Sequence, residues 1–224
     1  MNLDRMINKI VWGDCLEVMK RMPDKCVDAV ITDPPFGLNF PYVGYDDTIE
    51  NLKHLIGIFL PEAIRISKLV AVFPSIANCY LYPQPDWIVS CQWDTTGSRG
   101  KFGWNQWMPL NLYGADLIGG GFNNVNGGLK SDVISVSGGS SVGFMRNAIE
   151  TEHTCPKPIG IIKKIINRLT IDGMLILDPF LGSGTTAVAA YQLGRRFIGI
   201  ERELRYIGIA RRRLDAVMSQ TKLW

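Results

Sequence analysis

Short apolar runs alternate with stretches of helical period over the first 75 residues of this 224-residue chain, and again from residue 157 onward. That alternation is the pattern of βαβ units rather than of a sandwich or a helical bundle. Strands are predicted at residues 10–12, 29–32 and 69–73, with helices near 16–21 and 52–66. In the second block the pattern predicts a helix over 157–169, a strand over 174–177, a glycine-rich turn and a helix to 193. Gly194 stands where a helix takes its left-handed terminating residue. A strand over 197–200 and a closing helix over 203–218 follow. The implied fold class is α/β, an open and mostly parallel sheet with helices on both faces.

The chain is long enough, and at 46% hydrophobic apolar enough, to bury one sizeable core, so a single domain spanning 1–224 is expected. Residues 87–113 are aromatic-rich, with Trp87, Trp93, Trp104 and Trp107 among strand-like pieces, and read as a continuation of the sheet. Between Gly119 and Gly143 lie eight glycines with many Asn and Ser, a composition that resists regular packing and reads as an insertion or loop. A net charge of +3 is compatible with a nucleic-acid partner but too small to demonstrate one. The five cysteines are scattered and form no C-x-x-C pair, so they read as reduced thiols without zinc. No apolar segment follows Met1, and no run approaches 18 apolar residues, so a cytoplasmic protein without membrane contact is expected.

Two constellations carry chemistry. The first is Asp178-Pro179-Phe180-Leu181-Gly182-Ser183-Gly184-Thr185-Thr186, with Glu201 at the end of the next strand. Glycines at a strand-to-helix turn let backbone approach a ligand, and the helix N-terminus can hold its polar end. Gly182, Gly184 and Ala187 also satisfy the dinucleotide fingerprint, which keeps a dehydrogenase in view. Asp178 argues against it, because a carboxylate aimed at the turn repels a pyrophosphate and attracts an ammonium or sulfonium. Glu201 is then placed to accept hydrogen bonds from two ribose hydroxyls. No G-K-[ST] follows, which excludes a P-loop. The second constellation is Asp33-Pro34-Pro35-Phe36 directly after the apolar run 27–32. Two prolines stop the strand and hold Asp33 extended at the sheet's C-terminal edge, where open α/β sheets bind ligands.

In this order along the chain, the two constellations resemble the permuted β-class of amino-methylating DNA methyltransferases, over residues 11 to about 212. The resemblance implies a Rossmann-like methyltransferase fold, S-adenosylmethionine as cofactor and double-stranded DNA as partner. It further implies methyl transfer to the N6 amino group of an extruded adenine, with cytosine N4 as the alternative. By resemblance Asp14 and Cys15, in Gly13-Asp14-Cys15, belong to the segment contacting the cofactor's adenine. Residues 37–47 resemble a mobile loop over the base pocket. His153-Thr154-Cys155-Pro156-Lys157-Pro158 resembles the segment at the cofactor's methionine end, which assigns Lys157 and Pro158 to cofactor binding, although a proline-started helix explains those residues equally well. A homodimer and a cognate restriction endonuclease are further partners known for such enzymes. One departure stands out: Asn105-Gln106-Trp107 occupies the place where the family usually shows an acid.

An exocyclic amino group is a weak nucleophile until its protons are accepted, and Asp33 with the Pro34 carbonyl can do this. Phe36 can stack the extruded base, worth about 1–3 kcal/mol against the cost of unstacking. Methylation at cytosine C5 needs a Pro-Cys nucleophile that this sequence lacks, and His54 and His153 make no metal set with acids or cysteines. Residues 115–150 are the expected target-recognition insertion, with Arg99, Lys101, Lys130 and Arg146 as candidate DNA contacts and Phe122 and Phe144 as candidate wedges. Arg211, Arg212 and Arg213 spread around a helix and read as a solvated face. A non-catalytic DNA-binding protein and a methyltransferase acting on RNA or protein glutamine are the rival readings.

Overall fold

A computed structural model describes residues 2–93, 99–100, 103–104, 107–114, 131–136 and 157–221. Among these, one eight-stranded sheet contains β1 (Lys9–Trp12), β2 (Val27–Thr32), β3 (Ser67–Val72), β4 (Trp87–Trp93), β5 (Trp107–Tyr113), β6 (Val133–Val136), β7 (Leu175–Asp178) and β8 (Arg196–Glu201). Their order is β1-β8-β7-β2-β3-β5-β4-β6. From β1 to β3 every neighbouring pair is parallel. β5 runs antiparallel to both β3 and β4, and β6 is parallel to β4.

The helices are α1 (Cys15–Met19), α2 (Ile49–Ile66), α3 (Ile159–Leu169), α4 (Thr185–Gln192) and α5 (Leu204–Thr221). Successive strand residues face opposite sides, so β2 sends Ile31 into one core with Ile161, Ile165 and Phe197, and Val30 into the other with Phe59, Leu177 and Ile198. Each such fully buried side chain contributes about 1.5–3 kcal/mol, and the two cores fix which sheet face each helix covers. Local chemistry ends the helices. Asp14 caps α1 by accepting from the Leu16 and Glu17 N–H groups, and Thr48 caps α2 through the Asn51 N–H. Gly194, at φ +72°, closes α4, with its N–H on the Tyr191 carbonyl and that of Arg195 on Ala190.

The expected elements are all present, with ends that shift by at most three residues. The aromatic-rich segment does continue the sheet, as β4 and β5. The reading of 119–143 as insertion or loop needs correction, because Val133–Val136 forms β6 and extends the sheet beside β4. Its three β-branched residues suit a strand, and the surrounding glycines mask that signal in the sequence. Apart from residues 131–136, the stretch 115–150, with Phe122, Lys130, Phe144 and Arg146, lies outside the described residues, as do Lys101, Asn105, Gln106, His153 and Cys155.

Candidate functional site

The parallel register brings the C-terminal tips of β1, β8, β7, β2 and β3 to one edge of the sheet, since Trp12 pairs with Glu201, Asp178 with Gly199 and Thr32 with Val72. A cavity of about 770 Å³ opens there, within the range of small-molecule and cofactor sites. Asp14, Cys15, Asp33, Pro35, Phe36, Lys157, Asp178, Pro179, Phe180, Gly182, Ser183, Thr185, Thr186 and Glu201 all contribute to its wall. Residues expected from two distant parts of the sequence thus meet in one space. Pro34, Pro158 and Gly184 do not line it. Pro34 is buried behind the wall, which leaves the Asp33 carboxylate as the acceptor that faces the cavity.

Asp33 sits at the β2 tip with 29% of its side chain accessible. Its Oδ2 accepts a 2.5 Å hydrogen bond from the Lys157 ammonium, while Oδ1 is buried without a partner among the described residues. Burial pushes the Asp33 carboxyl up, and the Lys157 charge pulls it back down. The ammonium lies 4.9 Å from the Phe36 ring centroid and 5.6 Å from that of Phe73, so ring faces and a carboxylate together hold it. Phe36 is itself positioned by Asn78, whose Nδ2 donates to the Phe36 and Gly37 carbonyls.

Asp178, at the β7 tip, accepts from the Thr32 hydroxyl at 2.7 Å and from the Phe180 N–H. Burial, with the Asp33 charge adding, pushes its carboxyl up to about 6 against the Thr32 and Thr186 hydrogen bonds. Two carboxylates near one another, one with an orphaned oxygen, are the donor set a cationic ligand satisfies. The cavity therefore fits a cofactor that bears a sulfonium and an ammonium. The Cys15 thiol, pushed up to about 12 chiefly by burial, stays protonated and serves as an apolar surface rather than a nucleophile. Asp14 is exposed at the rim, where Oδ1 caps α1.

Glu201 holds more backbone than its expected ribose role requires. Oε2 accepts from the Gly182 N–H and Oε1 from those of Arg202 and Glu203. A carboxylate has lone pairs beyond these three, so it can shape the glycine turn and still face a ligand. Gly184 departs from its expected place. At φ +86° it begins α4, and a Cβ there would stand 2.7 Å from the Ala210 Cβ of α5. Its small size serves helix packing, not approach to a ligand.

Over the mouth, residues 37–47 form a loop with a short antiparallel pair, Pro41–Tyr42 against Tyr45–Asp46. The buried Asp47 carboxylate gathers the Gly37, Leu38 and Phe40 N–H groups. Arg202 spans from the β8 end to this loop, donating from Nη2 to the Val43 carbonyl and standing 5.9 Å from the Tyr45 ring. The sequence reading missed Asp47, Asn78, Phe73 and Arg202. Asp47 alone carried a signal, as the acid closing the stretch that begins at Gly37. Tyr82 was missed as well; its buried hydroxyl lacks a partner among the described residues and is pushed up by burial, with the Asp33 charge adding. Among the described residues no group of His, Cys, Asp and Glu could hold a metal, and no helix is long and apolar enough to cross a membrane.

Comparison with known proteins adds to this geometry. A family model described as DNA methylase matches residues 87–212. The Type II methyltransferase M.HinfI of Haemophilus influenzae is 26% identical, over 96% of this chain and 70% of its own. The crystal structure of the M1.HpyAVI–SAM complex superposes with a TM-score of 0.68 at 22% identity, over 92% of this chain and 98% of that one. The cytosine-N4-specific PvuII DNA methyltransferase gives a TM-score of 0.63 at 17% identity, over 94% and 90%. At these identities the two structures speak for the fold alone.

Proposed function

Since the chain belongs to the DNA methylase family of N6/N4 methyltransferases, we propose that it moves a methyl group from S-adenosylmethionine to the N6 amino group of an adenine extruded from double-stranded DNA. The observation that carries this reading is the Asp33 carboxylate at the cavity wall, with Oδ2 fixed by Lys157 and Oδ1 buried without a partner among the described residues.

The cofactor, when bound, supplies an electrophilic methyl group on a sulfonium. Asp178 and the glycine turn bind its charged end, and Glu201 and Asp14, at neighbouring strand tips, suit its ribose and adenine. The Asp33 carboxylate accepts an N–H of the target amino group, which frees the nitrogen lone pair from the ring. The same carboxylate takes the proton that the methylated nitrogen releases. Phe36, half-buried in the wall, offers the base a stacking surface. The loop 37–47 excludes water, which strengthens each of these electrostatic contacts. The chain is read as one methyltransferase domain of the β-class motif order, with residues 115–150 as its target-recognition segment.

Adenine is favoured over cytosine because a carboxylate is the stronger charge-assisted acceptor, and because the larger purine gains more from stacking. Incubating the protein with DNA and S-adenosylmethionine, then digesting to nucleosides for mass spectrometry, tests the reading. N6-methyladenine is the expected product. N4-methylcytosine alone would overturn the choice of base, and no methylated nucleoside would overturn the activity. Asp33→Ala should fold normally and lose turnover by a factor on the order of 10²–10³ or more. Near-normal turnover in that variant would refute the role of Asp33.

A further inference from the structure

Of the three consecutive arginines, Arg211 and Arg212 are exposed as the sequence suggests, but Arg213 is not part of a solvated face. It turns inward from α5, and its Nη1 donates to the Ser183 carbonyl at 2.6 Å, to the Ser183 hydroxyl at 3.0 Å and to the Thr185 hydroxyl at 3.2 Å. Burial pulls its pKa down. Two of the three acceptors lie in the turn between β7 and α4 and the third on the first residue of α4, and Ser183 and Thr185 also line the cavity. The helix therefore spends a half-buried cation on the rear of the wall. Three residues earlier on the same helix, Ala210 meets Gly184. From the opposite side Glu201 Oε2 holds the Gly182 N–H at 2.8 Å. The turn is gripped between the tip of β8 and the flank of α5, and Arg213 supplies the polar half of the second grip.

We propose that Arg213 is a positioning residue for the cofactor turn, which sets affinity for S-adenosylmethionine through Ser183 and Thr185 without touching the cofactor. The proposal rests on the reading of the cavity as a cofactor site. Holding the turn in its bound shape lowers the ordering cost that a ligand otherwise meets on binding. The three contacts share the two hydrogens of one nitrogen, Nη1, and the rigid guanidinium plane fixes that nitrogen more firmly than a flexible stem fixes an ammonium.

Calorimetric titration of the whole protein with S-adenosylmethionine, well below the melting temperature, together with steady-state methylation of DNA, tests this on Arg213→Ala and Arg213→Lys. In Arg213→Ala the Kd and KM for the cofactor should rise about tenfold, the effect of losing charge-assisted hydrogen bonds. The kcat at saturating cofactor and the KM for DNA should not change, and Arg213→Lys should recover part of the affinity. A merely structural role would lower the melting temperature and leave the cofactor Kd at its wild-type value in both variants, which would overturn the proposal. If Arg213→Ala fails to fold, Arg213→Lys carries the test by itself, with wild-type Kd again the refuting result. Failure of the wild-type protein to bind S-adenosylmethionine would instead refute the cofactor reading, and this proposal with it.

Discussion

Gly184→Ala separates a packing role from a binding role at a position where the sequence suggested the latter. An alanine there must adopt φ +86°, a left-handed conformation that costs an L-residue about 1–2 kcal/mol. Its Cβ must also stand 2.7 Å from the Ala210 Cβ and 3.1 Å from the Ala210 Cα, neither of which is the movable end of a long side chain. Overpacking of that kind costs about 1–3 kcal/mol as the helices shift apart. Together the two effects predict a loss of about 2–5 kcal/mol, or a fall in Tm of roughly 4–20 °C for a chain of this size. Calorimetry measures the loss, and a double-mutant cycle assigns it. Ala210→Gly removes the 2.7 Å contact but neither the 3.1 Å approach to the Cα nor the backbone strain, so the pair should show a favourable coupling of about 1–3 kcal/mol. A coupling below about 0.5 kcal/mol, or an unchanged Tm accompanied by weakened cofactor binding, would refute the packing account.

Asp178→Asn should stabilise the protein while weakening its binding of S-adenosylmethionine. The folded carboxyl, raised from 3.8 to about 6, costs stability above pH 6 and costs none below its unfolded value. The gain should therefore be on the order of 2 kcal/mol at pH 7 and fade between pH 6 and pH 4; denaturation across that window checks it, and a pH-independent gain would refute it. For the same reason wild-type affinity for the cationic cofactor should fall as pH drops below about 6, which titration at several pH values reads. Lys157→Met should shift the acidic limb of the kcat profile to higher pH, because Asp33, beside Asp178 and Tyr82, then loses the charge that keeps it ionised. An unmoved limb with saturating cofactor would show that Lys157 does not govern Asp33.

The sequence by itself determined the strands β1, β2, β3, β7 and β8, the helices and the tips that carry chemistry. Asp33-Pro34-Pro35-Phe36 and the Asp178–Thr186 turn are legible because two prolines, or glycines at positive φ, fix the backbone within a few residues. Gly194 is legible as a helix end for the same reason. Membership of the cavity wall followed from strand order, since parallel strands place their C-terminal ends together. Strand β6 was hidden because four residues give a weak signal inside a glycine-rich stretch. Only the tertiary structure decided what each side chain faces. Lys157 grips Asp33 across 124 positions of sequence. Arg213 reaches back 30 positions to Ser183, although helical period alone leaves it on a solvated face. Gly184 is small for the sake of Ala210. Local sequence sets φ and ψ, but the partner of a buried charge or a missing Cβ depends on how separate helices dock on the sheet, and no spacing along the chain encodes that contact directly.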